Sequence, residues 1–273
     1  MRKVNGIVVV SFGTSYKETR EKNIGAIEHR IAEAFPDFQV YRAFTSQFIR
    51  RKIQKAGEYV SDVEEALEAM EEDGITGEVI VQPTYIINGM ENDLMLETVK
   101  KYQGRFKKIS VGAPLLASIG DCKEMAYIVC RHYPVEEDEV LVFMGHGSEQ
   151  YSNAAYSALE YAVKTLGSRN IYIGTMKGDP SLEKVKQKLK KEGVAKVNLA
   201  PLMIAAGAHA CNDMAGEKGS WREELEREGY EVRVLLKGLG ELEEVQKLFV
   251  QHINEARKKG QLKCIQECFS YME

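Results

Sequence analysis

The sequence predicts an α/β protein built from two similar units, each a mostly parallel sheet flanked by helices, with the units facing a central cleft. Short apolar runs alternate with amphipathic stretches along the chain, which is the grammar of βα units around a parallel sheet. The 273 residues are 44% hydrophobic and 29% charged, enough apolar material for about two domains at roughly 150 residues each. The order of elements also repeats once along the chain.

In the first half, strands are expected over residues 6–11, 39–43, 78–82 and 109–111, which are short runs rich in β-branched residues. Helices are expected over 18–34, 62–72, 91–102 and 121–132, where apolar residues recur at helical spacing. Pro134 and an acidic run over 133–138 interrupt this pattern, dividing the chain into an N-terminal unit, 1–135, and a C-terminal unit, 136–273. The second unit has strands over 140–144, 170–174, 196–200 and 231–234, and helices over 154–165, 182–191, 221–227 and 242–258.

With 37 Lys and Arg against 41 Asp and Glu the formal charge is −4, so no overall positive field is available to hold a nucleic acid. No apolar run approaches the roughly 20 residues of a membrane span, and the run at 7–10 is too short for a signal-peptide core. A cytoplasmic protein is expected. Five cysteines, Cys122, Cys130, Cys211, Cys264 and Cys268, are an odd number scattered over a long chain, which favours reduced thiols. A homo-oligomer is compatible with all of this.

Each half opens with a strand entering a small Gly and hydroxyl turn: Ser11-Phe12-Gly13-Thr14 in the first, Gly145-His146-Gly147-Ser148 in the second. Further on, Pro83-Thr84-Tyr85-Ile86-Ile87-Asn88-Gly89 matches Pro201-Leu202-Met203-Ile204-Ala205-Ala206-Gly207, followed by Asn92-Asp93 and Asn212-Asp213. Ligands of open α/β sheets sit beyond the carboxyl ends of strands, where two of the five histidines fall. His146 follows strand 140–144 between two glycines, and His209 follows strand 196–200 after a small-residue segment. Equivalent loops of a duplicated fold face each other, and two imidazoles there can bind a borderline transition metal or accept protons near neutral pH.

The remaining signals are weaker. His29, His132 and His252 lie in helical patterns and read as surface or packing residues. Cys264 and Cys268 are spaced for two metal ligands but lack a second pair. No Walker lysine motif or Gly-x-Gly-x-x-Gly follows a strand, and Ser11 and Ser148 have no evident His and acid partners.

At these loops the sequence resembles the anaerobic-pathway sirohydrochlorin cobaltochelatases, two-domain relatives of ferrochelatase. The resemblance runs over roughly residues 4 to 258. It is carried by Val8-Val9-Val10-Ser11-Phe12-Gly13-Thr14-Ser15-Tyr16, Arg42-Ala43-Phe44-Thr45-Ser46, Ile86-Ile87-Asn88-Gly89, Phe143-Met144-Gly145-His146-Gly147, and Pro201-Leu202-Met203 through His209-Ala210 to Asn212-Asp213-Met214-Ala215. It implies a pair of ferrochelatase-like domains with a tetrapyrrole in the cleft. It also implies His146 and His209 as metal ligands and proton acceptors, with no tightly bound cofactor because Co²⁺ is a substrate. Ser11, Phe12, Gly13, Thr14, Tyr85, Asn88, Gly89, Glu91 and Lys177 are the expected lining of the tetrapyrrole site.

The chain departs from the family pattern at four places. Lys177 stands where an acidic metal ligand is common, Tyr85 where a histidine is usual, Ala208 where an acid precedes His209, and Gln150 or Tyr151 where a further histidine occurs. Lys177 would repel a cation or turn to the carboxylate-rich rim of the substrate, and Glu91, Asp93 or Glu149 are candidate replacement carboxylates. The leading expectation is Co²⁺ insertion into sirohydrochlorin. The alternatives are a chelatase preferring Ni²⁺ or Fe²⁺, a non-catalytic tetrapyrrole- or metal-binding protein, and, more distantly, a two-lobed small-molecule binding protein.

Overall fold

The computed structural model describes residues 4–149 and 151–259. The central strand of the first unit, β1 (Asn5–Ser11), carries Ile7, Val8, Val9 and Val10, all fully buried, as a parallel strand covered on both faces requires. It pairs in parallel with β2 (Phe38–Phe44) on one side and β3 (Glu78–Pro83) on the other, and β3 pairs with β4 (Lys108–Val111). The second sheet is built the same way from β5 (Glu139–Gly147), β6 (Ile171–Lys177), β7 (Lys196–Pro201) and β8 (Glu231–Val234). The two strand orders, β2-β1-β3-β4 and β6-β5-β7-β8, are equivalent. Each reverses direction beside its central strand, so each sheet has a switch point at the carboxyl end, between β1 and β3 or between β5 and β7.

The helices begin at recognisable signals. Asp62 and Glu65 form a reciprocal capping box at α4 (Val63–Glu72). Ser118 caps α6 (Ile119–His132), Ser220 caps α9 (Trp221–Arg227), and Gly193 ends α8 (Leu182–Glu192) in the left-handed conformation. The stretch expected as one helix over 18–34 is α1 (Lys17–Arg20), a π-helical turn (Glu21–Gly25) and α2 (Ala26–Ala34). One helix escapes the periodicity reading: α3 (Gln47–Lys55) buries only Ile49 and Ile53, and its charged residues mask the apolar spacing. The remaining helices are α5 (Met90–Lys100), α7 (Ala154–Thr165) and α10 (Glu243–Lys259).

Three apolar clusters hold the layers. One covers the outer face of the first sheet with α4 and α5, and includes Val8, Val10, Leu67, Met70, Met95 and Val99. A second covers the outer face of the other sheet, with Val140, Val142, Val185, Leu189, Trp221 and Leu225. The third draws on both sheets at once, with Ile7, Val9, Ile27, Leu141, Phe143, Leu159 and Phe249 in one buried body. The helices interlock across it: α6 packs on α7, and α10 returns from the end of the chain to pack on α2, β3 and β4. His252 of α10 is buried, facing the Ala113 carbonyl at 3.0 Å and the Asp121 carboxylate at 3.1 Å, a packing role as expected. Among the described residues no helix is long and apolar enough to cross a membrane. Cys264, Cys268 and Gln150 lie outside the described residues.

Candidate active site

Both histidines stand at the carboxyl edge of the second sheet, and they meet. Their ring centroids are 5.1 Å apart in an edge-to-face arrangement at 66°. Strand β5 continues past the expected end at 144 to Gly147, so His146 belongs to the end of the ladder rather than to a turn after it. The extension depends on glycine: Gly147 pairs with Lys177 of β6 at φ +74°, where a Cβ would fall 2.1 Å from the Lys177 carbonyl oxygen. His209 opens a π-helical turn (His209–Met214) after the β7 loop, an irregularity often found at functional sites.

Each imidazole is oriented from behind. His146 Nδ1 lies 3.0 Å from the Gly147 carbonyl oxygen, and His209 Nδ1 lies 2.8 Å from Asp213 Oδ2. Both partners only accept, so both Nδ1 atoms carry the proton and donate. In the neutral ring that leaves Nε2 as a lone pair available to a metal or a proton, with the tautomer set by the second partner. Burial, and then the charges of His209 and Lys177, hold His146 below the ordinary imidazole range, although the Gly147 hydrogen bond and Glu91 oppose them.

Glu91 and His209 occupy matching places in the two halves, eight residues beyond Pro83 and Pro201 respectively (83 to 91, 201 to 209). Glu91 is half-buried at the start of α5, close enough for its charge to act on His146. Among the described residues, however, no three His, Cys, Asp or Glu side chains are grouped to hold a metal. The pair of imidazoles therefore leaves most of a cation's coordination sphere open.

The first unit supplies the opposite wall. A Cβ on Gly207 would lie 3.0 Å from Thr14 Oγ1, and one on Gly89 would lie 4.0 Å from the Ser148 Cβ, so the loops of the two halves close on one another. Ser11 and Thr14 are buried, the Ser11 hydroxyl bonding Thr84 Oγ1 at 2.7 Å, while Phe12 and Asn88 are exposed. Gly13, at φ +98°, lies against the Phe44 ring. The Tyr85 hydroxyl is buried, and burial pushes it above the usual phenol range. Lys177 is exposed at the end of β6, and Asp93 and Glu149 are exposed as well.

Sequence reasoning missed three parts of this arrangement. Asp213 is four residues after His209, a spacing that brings side chains together on a helical turn. Thr84 belongs to a repeated segment in the sequence, which does not mark its bond to Ser11. Asn153, buried before α7, accepts from Ser148 N at 2.7 Å and donates to the Lys177 carbonyl at 2.9 Å. It thereby fastens the His146 loop to the end of β6, and no sequence pattern marks it.

Residues 5–258 match the family described as Cobalt chelatase (CbiK). Over 254 residues the chain is 35% identical to the sirohydrochlorin cobaltochelatase of Salmonella typhimurium, covering 92% of this chain and 95% of that one. The chain belongs to the CbiK cobalt chelatase family. A second CbiK-type relative, sirohydrochlorin cobaltochelatase CbiKC of Nitratidesulfovibrio vulgaris, is 35% identical over 257 residues, covering 92% and 90% of the two chains. The solved structure of SirB from Bacillus subtilis with Fe³⁺ superposes with a TM-score of 0.62 at 14% identity, over 92% of this chain and 95% of that one. DR2241 from Deinococcus radiodurans, a multi-domain protein with structural similarity to chelatases, gives 0.57 at 13% identity over 92% of this chain and 54% of its own. At those identities the likeness is one of fold, and the fold is that of the chelatases.

Proposed function

We propose that this CbiK family member inserts Co²⁺ into sirohydrochlorin in the cytoplasm, with His146 and His209 as metal ligands and proton acceptors. The observation that carries the reading is the facing pair of imidazoles with both Nδ1 protons committed to oxygen acceptors. The cation is a substrate, and no tightly bound cofactor is required. A site with two protein ligands suits a cation that must be handed on, because a closed set of four would retain it. Glu91, whose charge acts on His146 from the other half, is the carboxylate we assign to the entry site.

Insertion exchanges one Co²⁺ for two pyrrole N–H protons, so two bases are needed. Each neutral Nε2 accepts one proton as the metal passes to the ring nitrogens. Asp213 stabilises the imidazolium formed at His209. At His146 the burial and neighbouring positive charge that depress basicity favour release of the proton to solvent. Phe12, Asn88 and Gly89 would line the face toward the ring, with Ser11, Gly13, Thr14 and Tyr85 supporting them from beneath. Lys177 would turn to a rim carboxylate.

The test is a spectrophotometric insertion assay with sirohydrochlorin and Co²⁺, Ni²⁺ or Fe²⁺, against a control without protein. His146→Ala and His209→Ala are each expected to lower the catalysed rate by more than about 100-fold while tetrapyrrole binding persists. The charge of Lys177 beside His146 favours a second reading, a protein that binds the tetrapyrrole without catalysis. Retained binding with no acceleration by any of the three metals would establish that reading instead.

A further inference from the structure

We infer that the exposed face of α3 is a carboxylate-binding surface that receives the acidic rim of the tetrapyrrole; the inference rests on the substrate reading above. Helix α3, sequence QFIRRKIQK, carries four cationic residues and no acidic one in a chain of net charge −4. Arg50 is engaged, with Asp62 at 2.9 Å and Glu65 at 3.3 Å. Arg51, Lys52 and Lys55 are exposed and make no ion pair among the described residues; Lys52 instead stands 4.7 Å from the centroid of the exposed Phe48 ring. The other lysine-rich helix, α8, is largely neutralised, and only its Lys191 is exposed without an ion pair among the described residues. Its Lys184, Lys186, Lys188 and Lys190 all meet carboxylates. Three open cations on one short helix make α3 a local positive patch.

Beside that face, with Arg51 at the border, is a receptacle. A hollow of about 160 Å³ lies between α3 and the following segment, lined by Gln47, Arg50, Arg51, Gln54, Tyr59 and Val60. Arg50 Nε is buried and has no hydrogen-bond partner. Guanidinium forks match carboxylates in geometry as well as charge, and two glutamine amides add neutral donors.

The helix is fastened to the candidate site just ahead of its first residue. Thr45 N donates to the Ser11 carbonyl at 3.0 Å, and Ser46 N donates to the Phe12 carbonyl at 3.3 Å. Ser46 is also the cap of α3, its hydroxyl accepting from Ile49 N. At 1.5 Å per residue, Arg51 and Lys52 lie about 8–9 Å along the axis from Ser46. They thus stand between one and two turns from the Phe12 loop, and on this inference they offer several positive charges to the carboxylate arms of a macrocycle resting over Phe12.

The experiment titrates sirohydrochlorin, without metal, into the wild type and the Arg51→Gln/Lys52→Gln/Lys55→Gln variant at low and high salt. A second triple variant, Lys22→Gln/Lys123→Gln/Lys191→Gln, removes the same charge from exposed positions elsewhere. Affinity should fall about tenfold in the α3 variant, given the modest worth of each exposed charge contact. Its salt dependence should flatten, and the comparison variant should bind as the wild type does. In the insertion assay the loss should appear as a raised KM with kcat retained. Equal affinity and equal KM in wild type and α3 variant, with insertion intact, would overturn the inference alone. Binding lost in the α3 variant by a wild type that inserts no metal would sustain it and overturn the catalytic reading. No binding by the wild type would overturn both.

Discussion

His146 and His209 differ in what surrounds them, and the difference is testable by pH. His146 is held below its ordinary value of 6.5 by burial first, and then by the charges of His209 and Lys177. A base with a depressed pKa stays neutral further into acid, so the acidic limb that it imposes on kcat/KM should lie below pH 6.5. Lys177→Met removes one of the opposing charges and should move that limb upward; a limb that stays in place would show the lysine charge to be screened. Asp213→Asn should lower the insertion rate about 10–100-fold, the range for partners that orient a metal-binding histidine. An amide presenting its N–H₂ to His209 would favour the wrong tautomer. Insertion kinetics together with Co²⁺ titration of the metal-free protein would check it.

The site is carried by the joint between β5 and β6, and Asn153 is its staple. Its amide oxygen and nitrogen each hold one backbone group, on Ser148 and on Lys177. Asn153→Leu removes both bonds and buries their partners unsatisfied, a cost of about 1–3 kcal/mol, read by urea unfolding. The rate should fall more than in Asn153→Asp, which keeps the acceptor for Ser148 N. Gly147 matters to the same joint, since any side chain there meets the Lys177 carbonyl at a positive φ. These contacts were illegible beforehand because they join residues 24 apart (Asn153 to Lys177) through backbone atoms, which leave no trace in hydropathy. The two histidines were legible because strand ends, glycines and repeated segments are local patterns.

The two sheets share one buried cluster, and the chain crosses between them twice, at α6 and at α10. Removing α10 and the Leu242 before it would uncover residues that pack against Leu242, Val245, Leu248, Phe249 and Ile253, all buried. A chain ending at Glu241 is expected to lose cooperative unfolding, as read by calorimetry. The clamp between α10 and α6 adds acid sensitivity. Burial works to raise the Asp121 carboxyl, but hydrogen bonds from His252 and Ser118 outweigh it and hold the group below its ordinary 3.8. A depressed carboxylate contributes stability that is present above the unfolded value and lost as pH falls through the folded one. Asp121→Asn should therefore lower stability at neutral pH and flatten its decline as pH falls below about 4, as measured by urea unfolding across the acid range.

From sequence alone came the α/β class, the repeated strand order of elements, nearly all strands and helices, and the two histidines with the family they resemble. Each rests on neighbouring residues or on short motifs in fixed order. Tertiary structure decided that His146 and His209 meet, that Asp213 and the Gly147 carbonyl orient them, that β5 runs on through Gly147, and that α10 closes over the first sheet. Helix α3 was hidden because four charges outweigh two buried isoleucines in any window average. Periodicity reports which face of a segment turns inward. Which segments then face one another depends on packing between residues far apart in the chain, and the chemistry of this site arises at those contacts.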